Sequence, residues 1–202
     1  MARYRGPIVK KSRRLGIPLS DKAARIMENR PNPPGQHGNK MSRKMSDYGR
    51  HLLEKQRFRF TYGLMEKQFR NYVLKAMSKS GVAGDNLLQM LETRLDSVIY
   101  RAGFANTFRQ ARQLVTHKHV EVDGKCINIP SYLVKPGMKI KVAEEMQNNV
   151  QIRDAVGRSA NRTIPYLEIL RPDLSIILKE IPSRDLISVN LDENMVIEYY
   201  SK

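Results

Sequence analysis

Arginine, amide and hydroxyl side chains recur along one short segment at the spacing of a single helix face. Arg109, Arg112, Gln113 and Thr116 occupy positions i, i+3, i+4 and i+7, which share one side of an α-helix. A guanidinium presents a planar fork of donors that fits phosphate oxygens, and amides can donate beside it. An isolated stripe of this kind is more often a solvated face, so the rest of the sequence must decide between solvent and a phosphate backbone.

Local signals predict the helix that would hold this stripe. Thr107 followed by Gln110 fits a capping box, in which the hydroxyl accepts a backbone N–H three residues on and the amide reaches back. We therefore expect the helix to start here. Its opposite face would pack, and the residues on that face are Phe108, Ala111, Leu114 and Val115.

A β-hairpin is predicted directly after this helix. The pair Asp123-Gly124 separates two apolar segments, and an Asp-Gly turn closes hairpins because Gly tolerates positive φ. The two segments contain Val120 and Val122, then Ile127 and Ile129. A third strand is predicted at residues 138–142, where apolar and polar residues alternate after Pro136-Gly137.

Another helix is predicted upstream of the stripe, with Arg94 and Arg101 on its polar sides. Its buried positions would be Leu91, Leu95, Val98 and Ile99. The predicted unit is therefore helix, turn, helix, hairpin and strand.

The charge of the chain favours a polyanionic partner. Its 202 residues include 36 Lys and Arg against 20 Asp and Glu, a formal net charge of +16. Residues 1–92 carry 20 basic and 7 acidic side chains, residues 93–157 carry 10 and 6, and residues 158–202 carry 6 and 7. The N-terminal part is thus the main electrostatic footprint, and we expect tight binding to nucleic acid with a steep salt dependence.

Other features of the composition argue against a membrane partner. Pro and Gly interrupt the basic segments, Trp is absent, and no apolar run approaches the length of a transmembrane helix. No apolar signal segment follows Met1, so we expect a soluble protein that is not secreted. The single cysteine, Cys126, excludes an internal disulfide and suits a reducing compartment.

The first forty residues are rich in Arg, Lys, Pro, Gly and Asn. Such a segment buries little apolar surface, so we expect it to fold against its partner. The motif Asn32-Pro-Pro-Gly-Gln-His-Gly38 predicts a rigid, sharply turned loop.

Beyond this loop, Asp47 is predicted to cap one helix, and residues 65–77 are predicted to form another. The core stripe of that second helix would be Met65, Phe69, Tyr72, Val73 and Ala76.

These segments together resemble the S-four family of small-subunit ribosomal proteins. The family's small RNA-binding module is similar to Arg94-Leu-Asp, Arg109-Gln-Ala-Arg-Gln-Leu-Val, His117-Lys-His, Val122-Asp-Gly and Asn128-Ile-Pro-Ser131. Further landmarks run nearly the full length, from the Pro-Pro-Gly loop through Glu54-Lys-Gln56, Tyr62-Gly63, Glu66-Lys-Gln-Phe-Arg-Asn71 and Leu91-Glu92 to Val196-Ile-Glu-Tyr-Tyr-Ser-Lys202.

The resemblance implies an α+β fold. Family members have an extended basic N-terminal arm, a mostly helical domain and an α+β domain with an antiparallel sheet. We place the arm, folding on ribosomal RNA, at residues 1–45 and the helical domain at 46–91, completed by 183–202. The α+β domain would span 92–182, with the S-four-type module (helix-turn-helix plus hairpin) at about 93–157 and further strands at 166–170 and 176–179.

The resemblance also implies a function without catalysis. Members bind small-subunit ribosomal RNA early in assembly and nucleate one end of the subunit body. The module's expected RNA contacts are Arg94, Thr107, Arg109, Arg112, Gln113, His117 and Lys118, then Asn128 and Ser131. The expected contacts of the helical domain are Arg50, Lys55, Arg57, Lys67 and Arg70. Those of the arm are Tyr4, Arg5, Arg13, Arg14, Arg43 and Lys44.

The resemblance places the C-terminal end beside the neighbouring ribosomal protein S-five, an interface linked to decoding accuracy. The expected protein contacts are Asp192, Glu193, Asn194 and Tyr199. The arm region would approach the path by which messenger RNA enters. The implied location is the small ribosomal subunit in the cytoplasm, and the sequence leaves an organelle's ribosome open.

We expect no cofactor, no small-molecule substrate and no metal. Some family members hold zinc with four N-terminal cysteines, but Val9 and Ser12 stand near the expected first pair here, and no cysteine precedes Cys126. His117 and His119 with Cys126 would make at most a partial metal site, because structural zinc requires four ligands.

Three alternatives stay open at the level of sequence. The module also occurs fused to RNA-modifying and tRNA-charging enzymes, although no catalytic motif accompanies it here. A regulator of its own messenger RNA or of transcription antitermination is the second alternative. A helix-turn-helix protein that binds DNA is the third.

Overall fold

A computed structural model describes residues 4–39, 44–159 and 163–201. Within those residues the helices are α1 Ile8–Leu15, α2 Asp21–Asn29, α3 Asp47–Thr61, α4 Glu66–Met77, α5 Ala83–Glu92, α6 Leu95–Arg101, α7 Phe108–Thr116, α8 Glu144–Gln147, α9 Val150–Arg158 and α10 Glu193–Ser201. The strands are β1 Val120–Val122, β2 Lys125–Cys126, β3 Lys139–Val142, β4 Leu167–Leu170 and β5 Ser175–Leu178. A short 3-10 helix covers Arg184–Leu186.

The chain divides into two compact units. One comprises residues 1–84 and 190–202, and the other comprises residues 85–189. In the residues that the structure describes, the first unit contains helices and no strands, and the second combines helices with the antiparallel sheet. This is the α+β class predicted from the sequence.

The predicted arm contains two helices that sequence analysis did not anticipate. The side chain of Ser20 accepts a 3.2 Å hydrogen bond from the backbone N–H of Ala23 and caps α2. Leu15 and Ala23 are buried, and α1 packs against both α2 and α3. A few apolar residues at helical spacing are therefore enough for α1 and α2 to pack against a core, although the predicted arm as a whole is strongly polar.

The rest of the first unit packs α10 against α3 and α4. Phe58, Phe69 and Val196 are fully buried at this junction. The predicted core stripe of α4 is confirmed at Phe69, Val73 and Ala76, whereas Met65 and Tyr72 are only half-buried. Ser46, and not Asp47, caps α3, because the Ser46 hydroxyl accepts the N–H of Gly49 at 3.2 Å.

In the second unit, the predicted upstream helix is interrupted, so it forms α5 and α6. Arg94 lies between them in extended conformation. The N–H of Leu95 donates to the carbonyl of Tyr132, and the N–H of Val134 donates to the carbonyl of Thr93, both at 2.9 Å. At the break, these long-range backbone hydrogen bonds replace the hydrogen bonds of a continuous helix. The spacing of apolar residues along the sequence does not reveal them.

The sheet of the second unit has the strand order β2-β1-β3-β5-β4, with antiparallel pairing throughout. The predicted hairpin forms around Asp123 and Gly124, which take φ values of 48° and 75°. Its second strand is shorter than expected and ends before Ile127 and Ile129. The alternation of β3 is as predicted, since Ile140 and Val142 are 1% exposed and pack in the core below the sheet.

Candidate nucleic-acid interface

The helix that carries the predicted stripe begins where the sequence indicated. The Thr107 hydroxyl accepts the N–H of Gln110 at 3.2 Å. The Gln110 side-chain oxygen accepts the N–H of Asn106 at 2.8 Å, one residue before the position of an ideal capping box. These two hydrogen bonds hold the first turn of α7 in place. They thereby fix the direction in which the exposed side chains of α7 leave the backbone.

Four of the predicted contact residues in this region are exposed. Arg109, Gln113 and His117 follow one another at i, i+4 and i+8 along α7 and its C-cap, which is the spacing of one face. Lys118 comes next, in the left-handed region at φ 65°. The result is a short polar surface with two cations on a rigid support.

Arg112 departs from the predicted polar face, because it is only 8% exposed. It lies in the same buried row of α7 as Ala111 and Val115. The stripe of two arginines is therefore one exposed arginine and one buried one. Two residues at i and i+3 can lie on opposite sides of the boundary between the buried and the exposed face of a helix. Packing within the second unit determines which of the two is covered.

Arg94 is the least exposed of the predicted contact residues at 2%. Its Nε and terminal nitrogen donate to the two carboxylate oxygens of Asp96 at 2.9 and 2.7 Å. Asp96 is equally buried. In this structure the guanidinium faces a carboxylate inside the protein, where a phosphate cannot reach it without rearrangement.

The remaining module residues lie past the hairpin. Asn128 is exposed and Ser131 is half-buried. The thiol of Cys126 donates to the carbonyl of Lys118 at 3.2 Å, and the rings of His117 and His119 are 6.0 Å apart. Among the residues that the structure describes, no group of three or more His, Cys, Asp or Glu side chains is arranged to hold a metal ion.

The predicted basic contacts of the helical unit differ in accessibility. Lys67 and Arg70 are exposed on α4. Arg50 is exposed too, in an ion pair with Asp47. Lys55 is only 4% exposed, and half-buried Arg57 donates to the carbonyl of Leu15 at 2.9 Å and to Glu54 at 3.0 Å. The last two are bound within the fold.

Lys55 belongs to a network that the sequence did not reveal. Its Nζ lies 2.7 Å from Oε1 of Glu66, which also accepts the Tyr200 hydroxyl at 2.7 Å, while Arg59 lies 3.3 Å from the other oxygen. Burial acts to raise the pKa of Glu66, but hydrogen bonds from Lys55 and Tyr200 and the nearby cations hold it below its ordinary value. Burial, and then the bond to Glu66, raises the pKa of Tyr200.

In the predicted arm, Arg5, Arg14 and Lys44 are exposed. Tyr4 sets its ring edge-on against Phe60 with centroids 5.2 Å apart. Arg13 donates through Nε to the carbonyls of Arg30 and Asn32 at 3.1 and 2.9 Å, and so ties α1 to the Pro-Pro-Gly loop. The predicted contact Arg43 lies outside the described residues.

The predicted protein-contact residues cluster at the start and end of α10. Asp192 accepts the N–H groups of Asn194 and Met195 at 3.0 and 3.2 Å and so caps the helix. Asn194 is exposed and Glu193 is half-buried. Tyr199 stacks near Tyr48, with ring centroids 5.8 Å apart. Much of this set therefore has a role within the fold.

Sequence reasoning also missed a buried network in the second unit. Glu92, only 1% exposed, accepts two hydrogen bonds from Arg101 at 2.8 and 2.6 Å and a third from the Tyr166 hydroxyl at 3.1 Å. Arg101 was predicted on a polar helix side, but it is 7% exposed. The nine-residue separation and the break before α6 hide this pairing from any single-helix pattern.

Comparison with known proteins places the chain. Residues 3–92 match the family model "Ribosomal protein S4/S9 N-terminal domain", and residues 93–140 match the model "S4 domain". The chain is 46% identical to "Small ribosomal subunit protein uS4" of Chlorobaculum tepidum over 203 residues, and 45% identical to the protein of that name from Chlorobium luteolum, with all of each chain covered. The protein of that name from Hahella chejuensis is 46% identical over 207 residues, again with full coverage.

The chain belongs to the uS4 family. The S4 domain match contains α6, α7 and the hairpin, so the exposed residues from Arg109 to Lys118 lie within it. The family resemblance inferred from sequence motifs is thereby confirmed. In the described residues of this uS4 family member, no helix has the length and apolar character needed to cross a membrane.

Proposed function

We propose that this protein binds small-subunit ribosomal RNA and is a structural constituent of the small ribosomal subunit. The observation that carries the proposal is full-length similarity to uS4 proteins, combined with a formal net charge of +16 and with exposed cations on helices, among them Arg70 and Arg109. Fixed cations neutralise phosphates without being reordered on binding. Recognition would then follow the shape of a folded RNA.

The structure sharpens which side chains we propose for contact with RNA. In the S4 domain these are Arg109, Gln113, His117 and Lys118, together with Thr107, Asn128 and Ser131. In the helical unit they are Lys67 and Arg70, with Arg50 adding charge despite its partner. In the arm they are Arg5, Arg14 and Lys44, and Tyr4 and Arg13 support this surface.

For four of the predicted RNA contacts we propose a role within the fold. Arg94 holds Asp96, Lys55 holds Glu66, and Arg57 holds Glu54 together with the end of α1. A buried or half-buried cation that is paired with a carboxylate would have to break that pair to bind phosphate, at a cost that unpaired surface cations avoid. Arg112 joins this internal group by its burial.

We further propose that the protein binds early in assembly and nucleates the subunit body in the cytoplasm. The test is reconstitution of small subunits from ribosomal RNA and purified proteins with this chain omitted, then added back. The proposal expects loss of the RNA protections at its own site first and of other proteins' binding afterwards. Normal assembly without it, or no binding to the isolated RNA, would overturn the proposal.

An enzyme that uses an S4 domain for docking is not favoured. The relatives that the chain matches over their whole length are named as small ribosomal subunit proteins, so the similarity supports a structural role and not a catalytic one. A second alternative is a regulator that binds its own messenger RNA. Competition between that messenger RNA and ribosomal RNA for the protein distinguishes this role from the ribosomal one.

We also propose that the C-terminal helix contacts the neighbouring ribosomal protein S-five and that the arm approaches the path by which messenger RNA enters. Asp192, Glu193, Asn194 and Tyr199 are the proposed protein contacts. Tyr199→Ala should raise miscoding in a reporter assay at normal subunit yield. Because Tyr199 also packs against Tyr48, Tyr48→Ala serves as the control for an effect that arises only within the fold.

A further inference from the structure

A pocket of about 150 Å³ opens between α7 and the segment that carries α8 and α9. Four of its lining residues carry amides: Gln110 and Gln113 from α7, and Asn149 and Gln151 from the start of α9. His117 and His119 border it at the C-terminal end of α7. The pocket lies wholly within the second unit and beside the exposed surface that we propose for RNA contact.

The polar part of this lining offers both donors and acceptors of hydrogen bonds. None of the lining residues is Asp, Glu, Lys or Arg. An amide presents both donors and an acceptor, and within the described part of the chain the side chains of Gln113 and Gln151 form no hydrogen bond. A phosphate would be bound by donors and cations alone. This set instead fits an uncharged ligand with donors and acceptors along one edge.

The remaining lining is apolar. Leu114 and Ile152 are 5% and 1% exposed and are part of the core, and Met146 is half-buried beside them. Apolar side chains and a thioether offer flat contact to an aromatic ring. The volume equals that of about five waters at roughly 30 Å³ each and lies below the roughly 300 Å³ at which drug-sized sites begin. A single planar heterocycle matches this size.

We propose that this pocket accepts one unstacked nucleobase of the bound RNA. Amide groups would read the edge of the base, while Leu114, Met146 and Ile152 would cover one face. Arg109 and Lys118 directly follow or precede pocket residues in the chain and are exposed, so they can bind the phosphates on either side of the extruded nucleotide. The inference rests on the proposed function and adds one base-specific contact to an otherwise shape-based interface.

The test uses the full chain and small-subunit ribosomal RNA. Gln113→Ala combined with Gln151→Ala removes two amides without changing charge. RNA affinity should fall by roughly fivefold or more, because each of the two lost hydrogen bonds costs about two- to twelvefold. The slope of log affinity against log salt should stay unchanged. Base-modifying reagents should then react with one nucleotide that the wild type protects, while backbone protection from hydroxyl radicals persists.

Two controls make the result specific. Asn148→Ala removes an exposed amide next to the pocket that does not line it, and should leave affinity and base protection as in the wild type. Removing the identified base from the RNA, with the wild-type protein, should lower affinity as much as the double variant does, and the two changes together should add nothing. This second measurement does not depend on the folding of any variant.

The outcomes separate this inference from the proposed function. If the double variant binds RNA as the wild type does and no base becomes reactive, the nucleobase site is overturned while ribosomal RNA binding stands. If RNA binding is unchanged but incorporation into subunits fails, the pocket holds a protein segment and the nucleobase site is equally overturned. If the wild type itself does not bind the RNA, the proposed function fails.

Discussion

The hydroxyl of Tyr200 donates a 2.7 Å hydrogen bond to Oε1 of Glu66, a residue 134 positions earlier in the chain. The same oxygen lies 2.7 Å from Nζ of Lys55. One carboxylate therefore joins α10 to α4 and α3 at once. Because α10 completes the core of the helical unit through Val196, this bond holds the final helix over the aromatic residues that it covers.

Tyr200→Phe tests the strength of this attachment. The ring stays in place, but one half-buried hydrogen bond is lost, so the free energy of unfolding should fall by about 1 kcal/mol. The measurement is chemical denaturation followed by circular dichroism. Tyr48→Phe is the matched control, since it removes an exposed hydroxyl that lies 3.5 Å from Tyr199, and it should change stability much less. Equal effects of the two variants would contradict the role assigned to Glu66.

The pH dependence of stability provides a second test at Glu66. The folded state holds the pKa of Glu66 below its ordinary value of 4.5, so the folded protein binds this proton less tightly than the unfolded chain does. The stabilisation is therefore complete above that value and is lost as pH falls through the lower folded pKa. We expect Glu66→Gln to be less stable than the wild type at neutral pH, by a gap that shrinks below 4.5.

The comparison requires unfolding free energies of both proteins across the same acid range. A gap that stays constant into that range would mean that the charge of Glu66 does not contribute, and that the variant loses stability through shape alone.

Arg94 and Asp96 supply a third prediction. Arg94→Ala should leave the buried Asp96 carboxylate without its bidentate partner and lower the free energy of unfolding by about 3–5 kcal/mol. Arg158→Ala is the matched control, because it breaks an exposed pair with Asp154 and should cost roughly 0.5 kcal/mol or less. If Arg94→Ala folds with wild-type stability yet loses RNA affinity, Arg94 is a direct contact, as the sequence suggested.

The sequence predicted those parts of the structure that depend on neighbours along the chain. The Thr107 cap, the Asp123-Gly124 turn and the alternation of β3 are all set within a few residues, and each is confirmed. The break at Arg94 and the pairing of Arg101 with Glu92 depend on segments far away or across an interruption. No local pattern contains that information, because it arises from tertiary packing and long-range backbone bonds.

The same limit explains the candidate interface. A family motif identifies which residue types recur, but exposure is decided by what packs on the helix. Arg109 and Arg112 look equivalent at i and i+3, yet only Arg109 is exposed. The amide pocket was also invisible, because Gln113 and Gln151 belong to different helices that only the fold brings together.

The fourth prediction concerns the exposed arginine of the stripe. Arg109→Ala should weaken binding to small-subunit ribosomal RNA and reduce the slope of log affinity against log salt by about 1, since one phosphate contact is lost. Filter binding over a range of salt concentrations measures this slope. The stability of the Arg109→Ala variant should stay near that of the wild type, because the Arg109 side chain is exposed. An unchanged slope with intact folding would remove Arg109 from the interface.

The fifth prediction separates backbone strain from packing in the module. Gly124 has a φ of 75° at the hairpin turn, and no atom lies within 4 Å of an added Cβ. Gly124→Ala should therefore cost about 1 kcal/mol through conformation alone, because L-residues disfavour the left-handed region. Gly157→Ala is the opposite case: its site in α9 is equally open but helical. There the substitution should stabilise by roughly 0.5 kcal/mol. Thermal denaturation of the two variants should shift in opposite directions, and a shared loss of stability would show that unseen crowding, and not φ, limits the hairpin turn.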